Sequence, residues 1–222
     1  MLIYHGSEKR IESPVWRQGN PPNDYGRGFY CTESLELAKE WACKKNSDGY
    51  ANVYELDLSS LKVLDLSAEN FSILHWLTIL MQNRVFSPKS PLGRTNLEFL
   101  TEKFQVPYLE YDVIVGYRAN DSYFSFASDF LENVIPIQNL AGAMKLGSLG
   151  LQVVLKSKKA LSQLQFKGSE QAYKEEYYVT YHKRDDAARK NYLEGLRKVR
   201  PSEGVYLIDI VRNPGLLDEI RL

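Results

Sequence analysis

The stretch Asp24-Tyr25-Gly26-Arg27-Gly28-Phe29-Tyr30-Cys31-Thr32 combines two closely spaced glycines with an aromatic, β-prone ending. Glycine permits tight turns and close backbone approaches, so the stretch predicts a glycine-opened loop that leads into a brief strand. Thr32 is a good helix N-cap, and the apolar residues that follow recur at helical spacing. We therefore expect a helix from Ser34 to Lys45 directly after the strand.

Short segments of helical and extended character surround this stretch. Alternation and β-branched runs predict strands at residues 2–4, 51–58, 61–66, 111–115, 151–155 and 204–211, and an extended Tyr-rich segment at 171–183. Apolar spacing predicts helices at residues 69–83, 96–104, 121–134, 137–144 and 185–199, and Ser157 begins one further helical run. Strands and helices alternate without a regular βαβ rhythm, which predicts an α+β fold.

The composition argues against several classes of protein. Lysine plus arginine and aspartate plus glutamate both number 28, so no bulk charge indicates a nucleic-acid or membrane partner. Cys31 and Cys43 lie in no CxxC pair and near no histidine cluster, which argues against a metal site or a disulfide framework. The first residues lack the three-part form of a signal peptide, and the apolar run at 71–81 is too short to span a bilayer. We expect a soluble cytoplasmic protein with no membrane partner, or an effector exported by a specialised apparatus without a readable signal.

Three short segments carry residues suited to chemistry. His5-Gly6-Ser7 ends the opening strand, Tyr30 precedes Trp41 by eleven residues, and Gln152 begins a later strand. Each alone has an ordinary structural explanation, as a turn histidine, core aromatics or a strand residue. Their order along the chain is the informative feature.

Together these segments resemble the ADP-ribosyltransferase superfamily, in the branch with a His-Tyr-Glu triad. That branch pairs HGS on an early strand with a (F/Y)GxGxY segment before a helix, and with an acidic residue on a later strand. His5, Tyr30 and Gln152 occupy the three positions in this chain. The following segments are also similar to a bacterial family catalogued as a domain of unknown function: YHGS, DYGRGFYCT, LAKEWA, NVYELDL, the Asn83-Arg84 pair, YDVIVGYRAND and LQVVLKSKKALSQLQF.

The resemblance covers about residues 2–166. It implies an ADP-ribosyltransferase-like domain at 1–166, with a split β-sheet core and flanking helices. Residues 167–222 would form a C-terminal extension that packs on or beside this domain.

The resemblance also implies an enzyme that takes NAD as co-substrate and breaks the nicotinamide–ribose bond through an oxocarbenium-like ribose. His5 would bond a ribose hydroxyl, and the backbone of Gly6 would bond the carboxamide. Tyr30 and Trp41 would form the two faces of a slot for the nicotinamide ring, with Ser7 in the same site.

The third position departs from the triad. A glutamate there would stabilise the cation and activate the acceptor, whereas Gln152 keeps the hydrogen bond but cannot act as a base. The change favours transfer of a single ADP-ribose, and the similar bacterial family also carries glutamine at this point. Glu176 is the competing candidate, as a carboxylate that opens a strand. The apolar run Leu161, Leu164 and Phe166 after Gln152 favours Gln152.

Other residues have two interpretations each. Arg84 would suit the pyrophosphate oxygens of NAD or, at a helix C-terminus, the helix dipole. Asp121 would line the cleft or cap the next helix, and Asp24 would order the donor loop or start a turn. His75 and His182 have no partner in the sequence, and we expect structural roles for both.

The sequence thus predicts an NAD-dependent mono-ADP-ribosyltransferase acting on a protein or nucleic acid, as a bacterial toxin with an antitoxin partner or as a phage-defence effector. A non-catalytic NAD- or ADP-ribose-binding module is the alternative that Gln152 favours. RNA-end chemistry, in which relatives remove a phosphate with NAD as acceptor, needs a basic cluster by the first strand that this sequence lacks. The basic residues of the charged tail form either a solvated face or a target-recognition surface: Lys183, Arg184, Arg189, Lys190, Arg197 and Lys198.

Overall fold

The computed structural model describes residues 1–16, 23–119, 121–140, 150–198 and 204–216. These residues form an α+β fold, which confirms the fold class predicted from the sequence. They divide into two compact units. The sheet unit comprises Met1–Ala68, Pro107–Arg118 and Leu149–Arg184, and the helical unit comprises Glu69–Val106, Ala119–Ser148 and Asp185–Leu222.

The sheet unit contains seven strands within the described residues. They are β1 (Leu2–Ser7), β2 (Phe29–Thr32), β3 (Gly49–Leu56), β4 (Val63–Asp65), β5 (Val113–Tyr117), β6 (Leu151–Leu155) and β7 (Leu164–Ala172). Their spatial order is β4-β5-β6-β2-β1-β3-β7. The β4–β5 pair is parallel, and the other neighbours are antiparallel.

The helices fall in both units. In the sheet unit lie α1 (Leu35–Ala42) and α5 (Lys158–Ser162), and in the helical unit lie α2 (Ile73–Asn83), α3 (Pro91–Lys103), α4 (Asp121–Leu131) and α7 (Leu207–Arg212). The long helix α6 (Lys174–Lys198) passes through the unit boundary at Arg184. Residues 137–140 are helical as well, and the rest of the helix predicted at 137–144 lies outside the described residues.

The sheet opens between β1 and β2. β1 pairs with β3 along its whole length, and β2 pairs with β6 along its whole length, but Tyr4 and Thr32 are the single register pair recorded between β1 and β2. Beyond that pair, the imidazole of His5 bridges the two strands and contacts the carbonyl of Tyr30. A side chain therefore occupies the place where backbone ladder bonds would otherwise run.

The two faces of the sheet are covered differently. One face carries the apolar cluster of Ile3, Cys31, Tyr54, Leu56, Val113, Val153, Leu155 and Ala160. On the other face α1 packs directly against β1 and β3, because Gly6 and Gly49 have no side chain to hold it away. A Cβ on Gly6 would lie 2.1 Å from the carbonyl oxygen of Ala38, and one on Gly49 would lie 2.3 Å from that of Ala42.

The N-cap of α1 is Ser34, so the prediction of Thr32 as the cap is wrong. The Ser34 hydroxyl accepts a bond from the Leu37 amide, and α1 begins at Leu35. Thr32 ends β2, and its hydroxyl accepts from the Ser34 amide at 3.2 Å. Thr32 thus shapes the turn before the helix, which is the other common use of a β-branched hydroxyl residue.

The tail differs most from the sequence prediction. The segment 171–183 is not extended, since β7 ends at Ala172 and α6 starts at Lys174. Tyrosines favour strands by propensity, but the more buried positions of α6 recur every three or four residues, at Tyr177, Tyr181, Arg184, Ala188 and Tyr192.

The run 204–211 is likewise not a strand, because α7 occupies Leu207–Arg212. Asp209 accepts a bond from the Tyr206 amide at the helix start, and Leu207 and Ile210 are fully buried on one side. A short apolar run cannot be assigned to helix or strand by periodicity alone, and the cap decides this case.

Candidate functional site

His5 lies where β1 and β2 separate. Its Nδ1 is 2.7 Å from the carbonyl oxygen of Tyr30, and its ring stacks on Phe29 with 4.2 Å between centroids. Burial lowers the pKa of His5, which favours the neutral ring. Because a carbonyl oxygen only accepts, Nδ1 carries the proton, and Nε2 is left as a hydrogen-bond acceptor. No partner for Nε2 is found among the described residues.

A cavity of about 320 Å³ adjoins His5. Its lining is mostly apolar and includes His5, Trp16, Gly28, Phe29, Tyr30 and Leu161. The volume is at the low end of the range for ligand pockets, so it suits a flat ring or one part of a larger ligand. The structure therefore brings His5 and Tyr30 to one cavity, and it adds Phe29, which the sequence analysis did not single out.

Asn52 organises the segment that follows β1. Its side chain is fully buried opposite His5, and its Oδ1 accepts from the Ile11 amide at 2.8 Å. Its Nδ2 lies within 3.4 Å of four oxygens, which are the hydroxyl of Ser7 and the backbone carbonyls of His5, Lys9 and Tyr50. Asn52 was not a candidate from the sequence. The signal was present, because Asn52, Tyr54 and Leu56 alternate on the buried face of β3.

Ser7 belongs to the Asn52 network. Its hydroxyl donates to the carbonyl of Lys9 at 2.5 Å and accepts from Asn52 Nδ2 at 2.9 Å. The hydroxyl of Tyr54 also donates to the carbonyl of Ile11. The polar groups of β3 thus hold the backbone from Ser7 to Ile11, and Ile11 itself lines the cavity.

Tyr30 uses its hydroxyl to hold the glycine-rich loop. The hydroxyl donates to the carbonyl of Gly26 at 2.5 Å and accepts from the amide of Tyr25 at 3.1 Å. Gly26 has a φ of 71°, in the left-handed region that glycine tolerates. The tyrosine therefore closes this turn as well as lining the cavity.

Lys156, the residue directly after β6, supports the same loop. Its Nζ donates to the carbonyl of Tyr25 and, at 2.7 Å, to that of Arg27. Burial lowers the pKa of Lys156 to about 8. Lys156 was not a candidate from the sequence, because nothing local to residues 151–158 indicates a partner more than 120 positions away.

Gly6 and Trp41 meet on the face of the sheet that carries α1. A Cβ on Gly6 would lie 2.9 Å from Trp41 Cβ. The guanidinium carbon of Arg118 lies 4.3 Å from the centre of a Trp41 ring, a cation–π contact. Trp41 is not part of the cavity lining, so its pairing with Tyr30 around a nicotinamide ring stays a prediction.

Gln152 and Asp24 form a buried pair. Gln152 lies at the start of β6 in register with Thr32 and Gly116, and only 3% of its surface is exposed. Its Nε2 donates to Asp24 Oδ2 at 3.0 Å, and Asp24 is 1% exposed. Within the described chain, Gln152 Oε1 has no hydrogen-bond partner. Asp24 lies in the turn that the Gly26 amide closes on the Asn23 carbonyl, which is one of its two interpretations, and a role in ordering a donor loop stays a prediction.

The structure gives Glu176 a different place. It lies exposed in the first turn of α6, so it does not open a strand as the sequence suggested. Helix α6 follows β7, the edge strand beyond β3, whereas Gln152 lies on the other side of β1 and β2. Of the two candidates, Gln152 is therefore the one adjacent to the β2 strand that bears Tyr30.

The remaining candidates lie in helices. Arg84 is the C-cap residue of α2, and its Nη2 donates to the carbonyl of Ala119 within the helical unit. Its role toward phosphate stays a prediction. Asp121 is the first residue of α4. His75 closes a capping box with Ser72, which gives it the expected structural role. His182 contacts the tyrosine rings beside it in α6.

Comparison with known proteins identified one family. Residues 1–166 match the model of a family described as "Protein of unknown function (DUF3990)". No curated protein and no solved structure matched the chain. In the described part of the chain, no helix is both long and apolar enough to cross a bilayer.

Proposed function

The chain belongs to the DUF3990 family, and on that premise we propose that it is an ADP-ribosyltransferase that uses NAD and transfers one ADP-ribose to a macromolecular acceptor. One observation carries the proposal. His5 stands at the opening between β1 and β2 beside a cavity, with Nδ1 bonded to the Tyr30 carbonyl and, among the described residues, no partner on the Nε2 acceptor. This arrangement, on an HGS segment and a YGRGFY segment, supports the proposal because an acceptor nitrogen beside a cavity suits a ribose hydroxyl.

The chemistry follows from the groups in place. Cleavage of the nicotinamide–ribose bond builds positive charge on the ribose, so the enzyme must hold the sugar and ring more tightly in that state. A neutral His5 would accept a bond from a ribose hydroxyl through Nε2. The backbone of Gly6 would bond the carboxamide, and Tyr30 and Trp41 would stack on the nicotinamide.

Gln152 sets the kind of reaction. An amide has no charge to stabilise the cation and cannot remove a proton from the acceptor. The proposal is therefore limited to single transfer, onto an acceptor that is nucleophilic without a base from this position. The acceptor is a protein or a nucleic acid.

Nicotinamide release from NAD by the purified protein tests the proposal. His5→Ala and Tyr30→Ala should each lower kcat/KM at least tenfold, which corresponds to about 1.4 kcal/mol, the scale of one well-made hydrogen bond. His75→Ala is the matched control, since burial lowers the pKa of both histidines but His75 caps a helix. It should reduce thermal stability and leave kcat/KM within about twofold. Equal losses in His5→Ala and His75→Ala would contradict the assignment.

Labelled NAD identifies the acceptor class. The protein is incubated with the label and a cell lysate, and the protein and nucleic-acid fractions are then separated. We expect label in one fraction, with none there for His5→Ala. Label in neither fraction, together with no nicotinamide release, would refute transfer.

A non-catalytic NAD- or ADP-ribose-binding module is the second candidate. The uncharged and buried Gln152 favours it, because such a residue contributes little to cation stabilisation. Calorimetry separates the two functions. Binding of NAD with no nicotinamide released over hours supports the module, whereas release at a rate that depends on His5 supports the transferase.

A further inference from the structure

The Asp24–Gln152 pair joins two parts of the chain that lie 128 residues apart. Both side chains are more than nine-tenths buried, and the bond runs from the amide nitrogen to a carboxyl oxygen. The Gln152 amide turns its nitrogen toward Asp24, whose carboxyl oxygen accepts the bond. The amide oxygen must then point away from Asp24.

That oxygen is the unusual feature of the pair. Gln152 Oε1 is buried and has no hydrogen-bond donor among the described residues. Buried acceptors are nearly always paired, so this oxygen is free to take a donor supplied from outside the chain. A sugar hydroxyl is such a donor.

The pair is connected to the cavity by one short turn. Asn23 lines the cavity, Asp24 follows it, and the amide of Gly26 closes the turn on the carbonyl of Asn23 at 2.9 Å. Gln152 lies in register with Thr32, two residues along β2 from Tyr30. Asp24 thus joins Gln152 to the turn whose first residue lines the cavity.

We infer that Asp24 is a positioning residue that orients the Gln152 amide, so that the amide oxygen accepts a hydrogen bond from a ribose hydroxyl of NAD. Asp24 also places beside Gln152 the carboxylate that the third position of the triad lacks in this chain. The inference rests on the proposed function. Two side chains then share the role of one glutamate, because the Gln152 amide binds the sugar and the Asp24 carboxylate holds the amide in place.

Exchanging the two groups tests this assignment. Asp24→Asn keeps the shape but gives position 24 both a donor and an acceptor, so the Gln152 amide is no longer held in one orientation. We expect kcat for nicotinamide release to fall at least tenfold. In the double variant Asp24→Asn/Gln152→Glu, the asparagine nitrogen would donate to the glutamate, and kcat should return to within about threefold of the parent.

The single variant Gln152→Glu supplies a readout that does not depend on NAD. It places two carboxyl groups at hydrogen-bond distance, so one of them holds a proton at a raised pKa. A carboxyl with a raised folded-state pKa binds more protons when folded, and stability is then lost as pH rises through that value. Thermal unfolding of Gln152→Glu should therefore show a falling Tm between about pH 4 and 7 that the parent and the double variant lack.

Asp112→Asn is the control for loss of a hydrogen-bonded carboxylate in the sheet unit, because Asp112 accepts from Ser157 and Lys62. It should lower Tm without changing kcat. If Asp24→Asn keeps the parent kcat, or if the double variant folds but recovers no activity, the inference is overturned while the proposed function stands. If the parent neither binds NAD nor releases nicotinamide, the proposed function fails. The Tm profiles would then show a pair that is only structural, which also overturns the inference.

Discussion

Replacing Asn52 by alanine should loosen the backbone from Ser7 to Ile11 and weaken NAD binding. The variant removes the acceptor for the Ile11 amide and the donor shared by the carbonyls of His5 and Lys9 and the hydroxyl of Ser7. The Tyr54–Ile11 bond remains, so the segment should stay near its place without being fixed.

The magnitude follows from the number of polar groups left without a partner. The two N–H groups of Asn52 Nδ2 can make full hydrogen bonds to two of the four nearby oxygens. The variant therefore leaves about three polar groups without a partner, namely two of these oxygens and the Ile11 amide. Each partly or fully buried orphan costs about 1–3 kcal/mol, and water reaching the less buried ones reduces the sum to about 3 kcal/mol. For a chain of this size that loss corresponds to a Tm about 6–12 °C lower.

Asn96→Ala is the matched control. Asn96 is also fully buried, and its Nδ2 donates to the carbonyl of Leu131 at 2.8 Å in the helical unit. It should cost about 2 kcal/mol. Urea unfolding measures both losses, and calorimetry with NAD well below both transitions measures binding. We expect NAD affinity to fall at least tenfold in Asn52→Ala and to stay unchanged in Asn96→Ala, and an equal fall in both would refute the reasoning.

Three more predictions concern the same unit. Gly6→Ala should lower the free energy of unfolding in urea by about 2–4 kcal/mol, because the new methyl group would lie 2.1 Å from the carbonyl oxygen of Ala38 and α1 would have to move. A loss below about 1 kcal/mol would show that α1 does not pack this closely on β1. Because burial lowers the pKa of His5, the unfolded chain binds a proton more readily than the folded chain does. The free energy of unfolding should therefore fall as pH drops below about 6.5, and His5→Gln should reduce the slope of Tm against pH. An unchanged slope would mean that His5 is not desolvated in the folded chain. Lys156→Met should raise the KM for NAD more than it lowers kcat, because it frees the carbonyls of Tyr25 and Arg27 and loosens the loop; a change in kcat alone would contradict this role.

Local patterns were sufficient for much of the core. The alternation in residues 51–58, the β-branched run at 111–115 and the LQVVL segment each predicted a strand that the structure contains within two residues at either end. The glycine-rich loop before β2 and the helix after it were also predictable, because turn chemistry and apolar spacing act over a few residues. The helices of the tail were not predictable, because the Tyr-rich segment at 171–183 and the short apolar run at 204–211 each fit both helix and strand patterns.

By itself, the sequence determined an α+β chain, the HGS segment on the first strand and a YGRGFY segment ahead of the second. Only the tertiary structure decided that β1 and β2 separate beyond Tyr4, that His5 is held by the Tyr30 carbonyl, and that Gln152 meets Asp24. The physical reason is range. Propensity and periodicity depend on neighbours a few residues away, whereas these contacts join residues 25 and 128 positions apart and depend on which strands become neighbours in the sheet.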